Sequence, residues 1–454
     1  MNFPETASYR NILKLVWPLA LGMANNALMQ FADRVFLAHE SAASLEAILP
    51  AGMLAYLFIG FFQSIVSYSG TFVAQYFGAK DMTGCRQSYH AGLWLAFLSG
   101  FVLLALVPLG HWVFDWGGHS AAVLAREKIY YSIVMSGGVF LCGTMAAQGY
   151  FTGLGLTRTV FWVNLGGNLA NIALDPLFIF GWGPIPALGM SGAALATVLA
   201  QFLQCAVLIA LAHRHSQSSQ PSQHSQPSQH SQLSTLILRI LRFGVPSGLY
   251  SVLNILSFTI FVFVTGKVGD LAFAVSNAAF SVNYLLIAPI EGFSIGASTL
   301  VGQLQGARDA KGALRAGYRV MLLAESYILI ASIAILVFYK PILSLFATDA
   351  AAFDPVAFTS LGFTLFVLMV AWQFFDGADV VLSGALKGAG DTRFVMVWML
   401  VCAFAFWLPL VFLVYRFHPT MPALWATMIA YVGVICVGTF LRWQFGSWRK
   451  IKLV

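Results

Sequence analysis

The chain has 454 residues, of which 59% are apolar and 9% charged, and its net charge is +7. A soluble domain carries roughly a quarter charged residues, so this composition excludes an ordinary soluble enzyme and points to a chain that crosses a membrane many times. The basic surplus does not imply nucleic acid, because it is distributed by loop, as shown below.

A spanning helix needs about 20 mostly apolar residues. Twelve such runs follow one another, at 11–38, 45–77, 90–114, 128–151, 159–182, 188–212, 236–265, 272–303, 315–338, 355–385, 394–415 and 421–444. The fold class expected is an all-α polytopic membrane protein of twelve transmembrane helices in two pseudo-symmetric six-helix lobes. In the first run, Asn26, Gln30 and Asp33 recur at steps of 4 and 3 on one helical face, and Arg34 points about 100° away from Asp33, toward the interface. In the fifth, Asn164, Asn168, Asn171 and Asp175 form a polar stripe at steps of 4, 3 and 4. Such stripes face other helices or water rather than lipid. Pro18, Gly22 and Pro176 are expected hinges, since proline removes a helical hydrogen bond and glycine loosens the backbone. Bending of the first helix toward the fifth, on protonation near Asp33 and Asp175, is the expected transport motion.

Residues 213–235 are low-complexity and rich in Ser, Gln, His and Pro. They are expected to form a flexible cytoplasmic linker between an N-lobe, 1–212, and a C-lobe, 236–454. Its histidines, His213, His215, His224 and His230, are not expected to form a functional metal site. In the second half, Ser247, Tyr250, Asn254 and Ser257 share a face of the seventh run. Asn277, Tyr284 and Glu291 are seven apart in the eighth, which also contains Pro289, and Gln373, Asp376, Asp379 and Ser383 align in the tenth. Glu325 is expected near the cytoplasmic end of the ninth helix, in a structural role. Asp33, Asp175, Glu291, Glu325, Asp376 and Asp379 lie inside apolar runs, and an interior biased to acids suits protons, sodium ions or cationic solutes.

The halves repeat. Residues 71–84, TFVAQYFGAKDMTG, match 299–312, TLVGQLQGARDAKG, at seven of fourteen positions and a constant offset of 228. This is a mark of repeat-built transporters. Assigning loops alternately to two sides puts 18 Lys and Arg on the side of both termini and five on the other. By the positive-inside rule both termini are cytoplasmic, in a plasma (inner) membrane. The five cysteines have no CxxC spacing and are expected to be packing residues. GALKGAGDT at 384–392 lacks the GK[ST] of a phosphate loop, and HExxH and GxSxG are absent, so neither nucleotide binding nor enzymatic activity is expected.

LVWPLA near the start, FADRVFLA closing the first helix, NIALDPLFIFG in the fifth, TLVGQLQGA after the eighth and LSGALKGAGDTR after the tenth resemble the multidrug and toxic compound extrusion (MATE) family over nearly the whole chain. The resemblance implies a two-lobed, V-shaped antiporter that expels small cationic or amphipathic drugs in exchange for inward H⁺ or Na⁺, with no cofactor and no obligate protein partner. DinF-type, proton-coupled members carry an Asp in the first helix, Asn and Asp one turn apart in the fifth, and a Thr in the sixth. Asp33, Asn171, Asp175 and Thr197 occupy those places, implying proton or cation coupling. NorM-type members replace the fifth-helix Asp by Asn, and have a Glu eight residues after the seventh-helix Pro and an Asp in the tenth. Here Asn254 follows Pro246 at that spacing, and Asp376 matches the tenth-helix Asp.

Proton coupling is therefore expected ahead of sodium. Asn26, Gln30, Asn168, Asn254, Tyr284, Glu291, Asp376 and Asp379 are candidates for substrate or a second ion. A lipid-linked precursor flippase of the same superfamily would need a basic cavity, and a channel or non-transporting scaffold would not need two matched halves with buried acids.

Overall fold

The computed structural model describes residues 8–218, 229–346 and 355–454. Among them the regular structure is helical, with one isolated bridge between Trp182 and Ile185. The helices are α1 Tyr9–Glu40, α2 Ala42–Ser67, α3 Ser69–Gly78, α4 Met82–Ala105, α5 Val107–Trp116, α6 Ala121–Ser136, α7 Gly138–Gly153, α8 Thr157–Ile179 and α9 Met190–Ser218 in the first half. The second half has α10 Gln229–Thr265, α11 Asp270–Gly306, α12 Ala310–Val337, α13 Tyr339–Ser344, α14 Pro355–Ala389, α15 Thr392–Leu400, a π-helical stretch Val401–Trp407, α16 Leu408–Phe417 and α17 Met421–Phe445.

Ten spans are long and apolar enough to cross a membrane, and an eleventh is α6 with α7, bent by 42°. The twelfth is α8, whose 23 residues include three asparagines and an aspartate that lower its hydropathy. Gly137 sits at the bend of the eleventh, where a Cβ would stand 2.4 Å from Val198 of α9. The linker 213–235 is shorter than its composition implies. Residues 213–218 close α9 and 229–235 open α10, while 219–228, including His224, lie outside the described residues.

The repeated motif builds one local structure twice. Lys80 and Arg308, 228 apart, are the only non-glycine residues at positive φ among those described (62° and 59°). Each is followed by an aspartate that caps the next helix: Asp81 accepts from the Gly84 N–H at 2.9 Å and Asp309 from the Gly312 N–H at 2.8 Å. The two copies meet through their glycines. A Cβ on Gly78 would stand 1.8 Å from the Gln303 carbonyl oxygen, and one on Gly306 would stand 1.9 Å from that of Gln75.

Contacts divide the chain into two compact units, one of Leu21–Ser251, Gly302–Arg308 and Leu453–Val454, the other of Met1–Ala20, Val252–Val301 and Asp309–Lys452. The division differs from a cut at the linker because α1 and α10 each change unit partway along. In the second unit, the first turns of α1 lie on α11, where a Cβ on Gly292 would stand 2.4 Å from the Ala20 backbone and one on Gly296 would stand 2.5 Å from Val16. In the first unit, Gly244 and Gly248 of α10 approach Ile65 and Phe61 of α2 to 3.0 and 2.9 Å in the same sense. Val16 with Gly244 and Ala20 with Gly248 keep the offset of 228, so the repeat governs packing as well as sequence.

Gly306→Ala therefore forces a methyl group into a backbone carbonyl, a clash of the kind that costs about 1–3 kcal/mol. We expect it to lower the thermal midpoint and the monodisperse yield in detergent. Gly433→Ala, with nothing within 4 Å of the new methyl, should leave both unchanged. Equal behaviour of the two variants would refute the packing role.

Candidate functional site: two sets of buried acids

The first set lies in the unit that holds most of α1–α9. The polar stripe of α8 meets a polar partner at each turn. Gln148 of α7 donates to Asn164 at 2.8 Å, and Gln204 of α9 donates to Asn168 at 3.3 Å. Gly167 makes room for that glutamine, because a Cβ there would stand 2.1 Å from it. One turn further, the Asn171 amide, in the orientation that satisfies both neighbours, donates to Asp33 Oδ1 at 3.0 Å and accepts from the Thr197 backbone N–H at 3.3 Å. Asp175 is fully buried, and neither of its oxygens has a hydrogen-bond donor, while its carboxylate faces that of Asp33 at hydrogen-bonding range.

Asp33, Asn171, Asp175 and Thr197 thus come together, with one difference from expectation. The Thr197 hydroxyl donates to the Ala193 carbonyl at 3.0 Å, so the residue serves Asn171 through its backbone instead. Tyr130 of α6 stands within electrostatic reach of both carboxylates, a neighbour that the sequence pattern did not single out. Arg34 is exposed, as its helical angle implied. Asn26 and Gln30 are half-buried two turns and one turn before Asp33 on α1. Pro18 and Pro176 lie inside continuous helices, and a Cβ on Gly22 would meet only the Phe161 ring, at 4.0 Å.

The second set lies in the other unit, on α10, α11, α12, α14 and α17. Gln373 of α14 donates to Asn283 of α11. Asp376, half-buried, is within electrostatic reach of Asp379 and Glu291. Asp379 is 3% exposed, its Oδ1 has no partner, and Ser383 and Thr439 stand beside its carboxylate. Glu291, Tyr284 and Asn254 are exposed.

Two further residues belong here. Lys387 interacts with both Glu291 and Asp379. The apolar run stops at 385 and leaves Lys387 outside it, yet α14 continues to Ala389, and Asp379, Ser383 and Lys387 keep steps of four on one face. Glu325 is not near a helix end. It lies in the middle of α12, its Oε1 buried and without a partner, 3.3 Å from where a Cβ on Gly377 would stand.

Among the described residues no group of three or more His, Cys, Asp or Glu could hold a metal ion. The five cysteines are unpaired, four of them buried.

The chain is similar to known proteins over nearly its whole length. The probable multidrug resistance protein NorM of Acinetobacter baylyi is 24% identical over 435 residues, covering 95% of each chain. That of Deinococcus radiodurans is 28% identical over 414 residues, covering 88% of this chain and 86% of the relative. A solved MATE structure in the straight conformation has a TM-score of 0.84 at 20% identity, over 98% of this chain and 97% of that one. A transporter of the MOP superfamily from Pyrococcus furiosus, described as having a binding pocket whose reverse polarity suggests a different function, has a TM-score of 0.82 at 19% identity, over 98% and 97%. The MatE family model matches residues 18–177 and 246–413, one stretch in each half, so this chain belongs to the MatE family of membrane transporters.

Proposed function

We propose that the protein is a multidrug efflux antiporter of the bacterial inner membrane, with cytoplasmic termini, which expels cationic or amphipathic compounds by alternating access in exchange for inward H⁺. One observation carries the choice of ion. Asp175 is enclosed with both oxygens lacking a donor and with the Asp33 carboxylate opposite. A proton held between the two carboxylates supplies the missing donor. A hard metal cation would need several oxygen ligands, and here the Asn171 amide turns its nitrogen toward Asp33, completing a hydrogen-bond network. Asp33, Asn171, Asp175 and Thr197 are the coupling set.

The second set is assigned to cargo. Asp376, Asp379, Glu291 and Glu325 outnumber Lys387, a balance that suits a cation, and exposed Glu291, Tyr284 and Asn254 offer charge, ring and amide to an amphipathic one. A flippase for a lipid-linked diphosphate would need the opposite polarity, and the Pyrococcus furiosus neighbour illustrates that one fold accommodates a reversed pocket. Pro18 and Gly22 are assigned as the hinge because α1 changes contact unit between Ala20 and Leu21, between those two residues.

Three experiments test these assignments. In proteoliposomes loaded with a fluorescent organic cation, a proton gradient should drive efflux, and Asp33→Asn or Asp175→Asn should each reduce it at least tenfold at unchanged yield. Wild-type efflux by both single variants removes the coupling role. At constant pH, added Na⁺ should not change efflux, and Asp376→Asn should weaken binding of the cation by about tenfold, roughly 1.4 kcal/mol. Stimulation by Na⁺ that disappears in Asp376→Asn would instead make this set a sodium site. Pro18→Ala should slow turnover more than it weakens binding, and unchanged turnover would exclude hinge bending as the coupling step.

A further inference from the structure

An apolar groove of about 720 Å³ runs along the outside of the first unit, among α4, α7 and α9. Phe97, Phe140, Gly143, Phe202 and Ala206 line it, and His213 lies at one end. From Phe202 to His213 the helix advances eleven residues, about 16 Å at 1.5 Å each. The hydrocarbon depth of one bilayer leaflet is about 15 Å, so the groove matches one acyl chain in length.

Its ends differ in chemistry. At the His213 end, α4 brings Arg86 and His90, four residues apart on one helical face, and His90 interacts electrostatically with both Arg86 and His213. His90 and His213 are exposed. One arginine and two histidines from two helices thus gather at that end of the groove. The other unit has an apolar groove of about 550 Å³, lined by Phe375, Trp398, Val434, Val437 and Leu441.

We propose that the groove among α4, α7 and α9 is a binding site for an anionic phospholipid, one acyl chain lying along Phe97, Phe140 and Phe202 and the phosphate resting on Arg86, His90 and His213. Apolar surface holds the chain, and basic side chains at the headgroup level select negative charge. A zwitterionic lipid would fill the same groove without that selection.

Native mass spectrometry of the full chain tests this, with equal phosphatidylglycerol and phosphatidylcholine of identical acyl chains in the micelle. The wild type should retain phosphatidylglycerol about tenfold over phosphatidylcholine. The double variant Arg86→Gln, His90→Gln should retain the two equally. Ala206→Trp, which fills the groove from an exposed position, should lose both. Val437→Trp, in the other groove, should keep the wild-type preference, and so should the wild type in excess inorganic phosphate if the acyl chain provides the hold. Equal retention of the two lipids by the wild type, or a preference that survives both groove variants, overturns the proposal. If the double variant fails to fold, Ala206→Trp alone still decides it.

Discussion

The closest constraint in the molecule is a reciprocal one between glycines and backbone carbonyls. Gly78 stands against Gln303 and Gly306 against Gln75, with no room for a methyl group on either side. The backbones approach because the chain turns just beyond each glycine, at Lys80 and Arg308, through a conformation that side chains other than glycine seldom adopt. Asp81 and Asp309 then capture the next helix by its first N–H groups. Three of the seven identities, Gly78/Gly306, Asp81/Asp309 and Gly84/Gly312, are therefore residues that one turn-and-contact needs twice. Gln303 adds a second tie by donating to the Gly153 carbonyl at 2.8 Å, which fixes the end of α7 and hence the register in which α8 begins.

Polarity in the membrane follows from that register. α8 tolerates three asparagines because each finds a partner from a neighbouring helix, and a side-chain amide left without one in an apolar interior costs free energy of kcal/mol order. The stripe ends on Asp175, the one member whose partners are incomplete. A structural seam would have ended on a satisfied group. An unsatisfied carboxylate opposite a second one is a position that gains from a proton, and the proposed coupling rests on that difference.

Much of this was legible in the sequence. Steps of three and four residues placed Asn171 and Asp175 on one face and Asp33 at the same depth, because helical geometry follows from spacing. What spacing could not carry was which atom does the work. Thr197 serves through its N–H while its hydroxyl turns back to Ala193, and that choice depends on a rotamer. Helix ends were also hidden, since apolar runs stop where charge begins but helices do not. α14 carries Lys387 inward past its apolar run, and α12 begins five residues before its own, which moves Glu325 from an expected end to the middle. The bounds of the linker were hidden for the same reason: composition marks where a core cannot form, whereas α9 runs on to Ser218 and α10 begins at Gln229.

The two halves share a frame and differ in what they enclose. Equivalent positions in α1 and α10 keep Pro18 with Pro246 and the close glycine contacts, yet the acids do not follow the repeat. One set has two carboxylates and asparagines. The other has four carboxylates and a lysine, with Gln63 of the first half standing where Glu291 stands in the second. Duplication supplies matched hinges and contacts, which an alternating motion requires of both halves. On the assignment proposed above, divergence of the interior lets one half hold the driving ion and the other the cargo. If both sets served the same ion, there would be little reason for Lys387 to enter only the second. A fixed internal cation lowers the affinity for a small bare ion but leaves room for a large organic cation, whose charge is spread and whose rings can use Tyr284, so the asymmetry itself favours the division of roles proposed above.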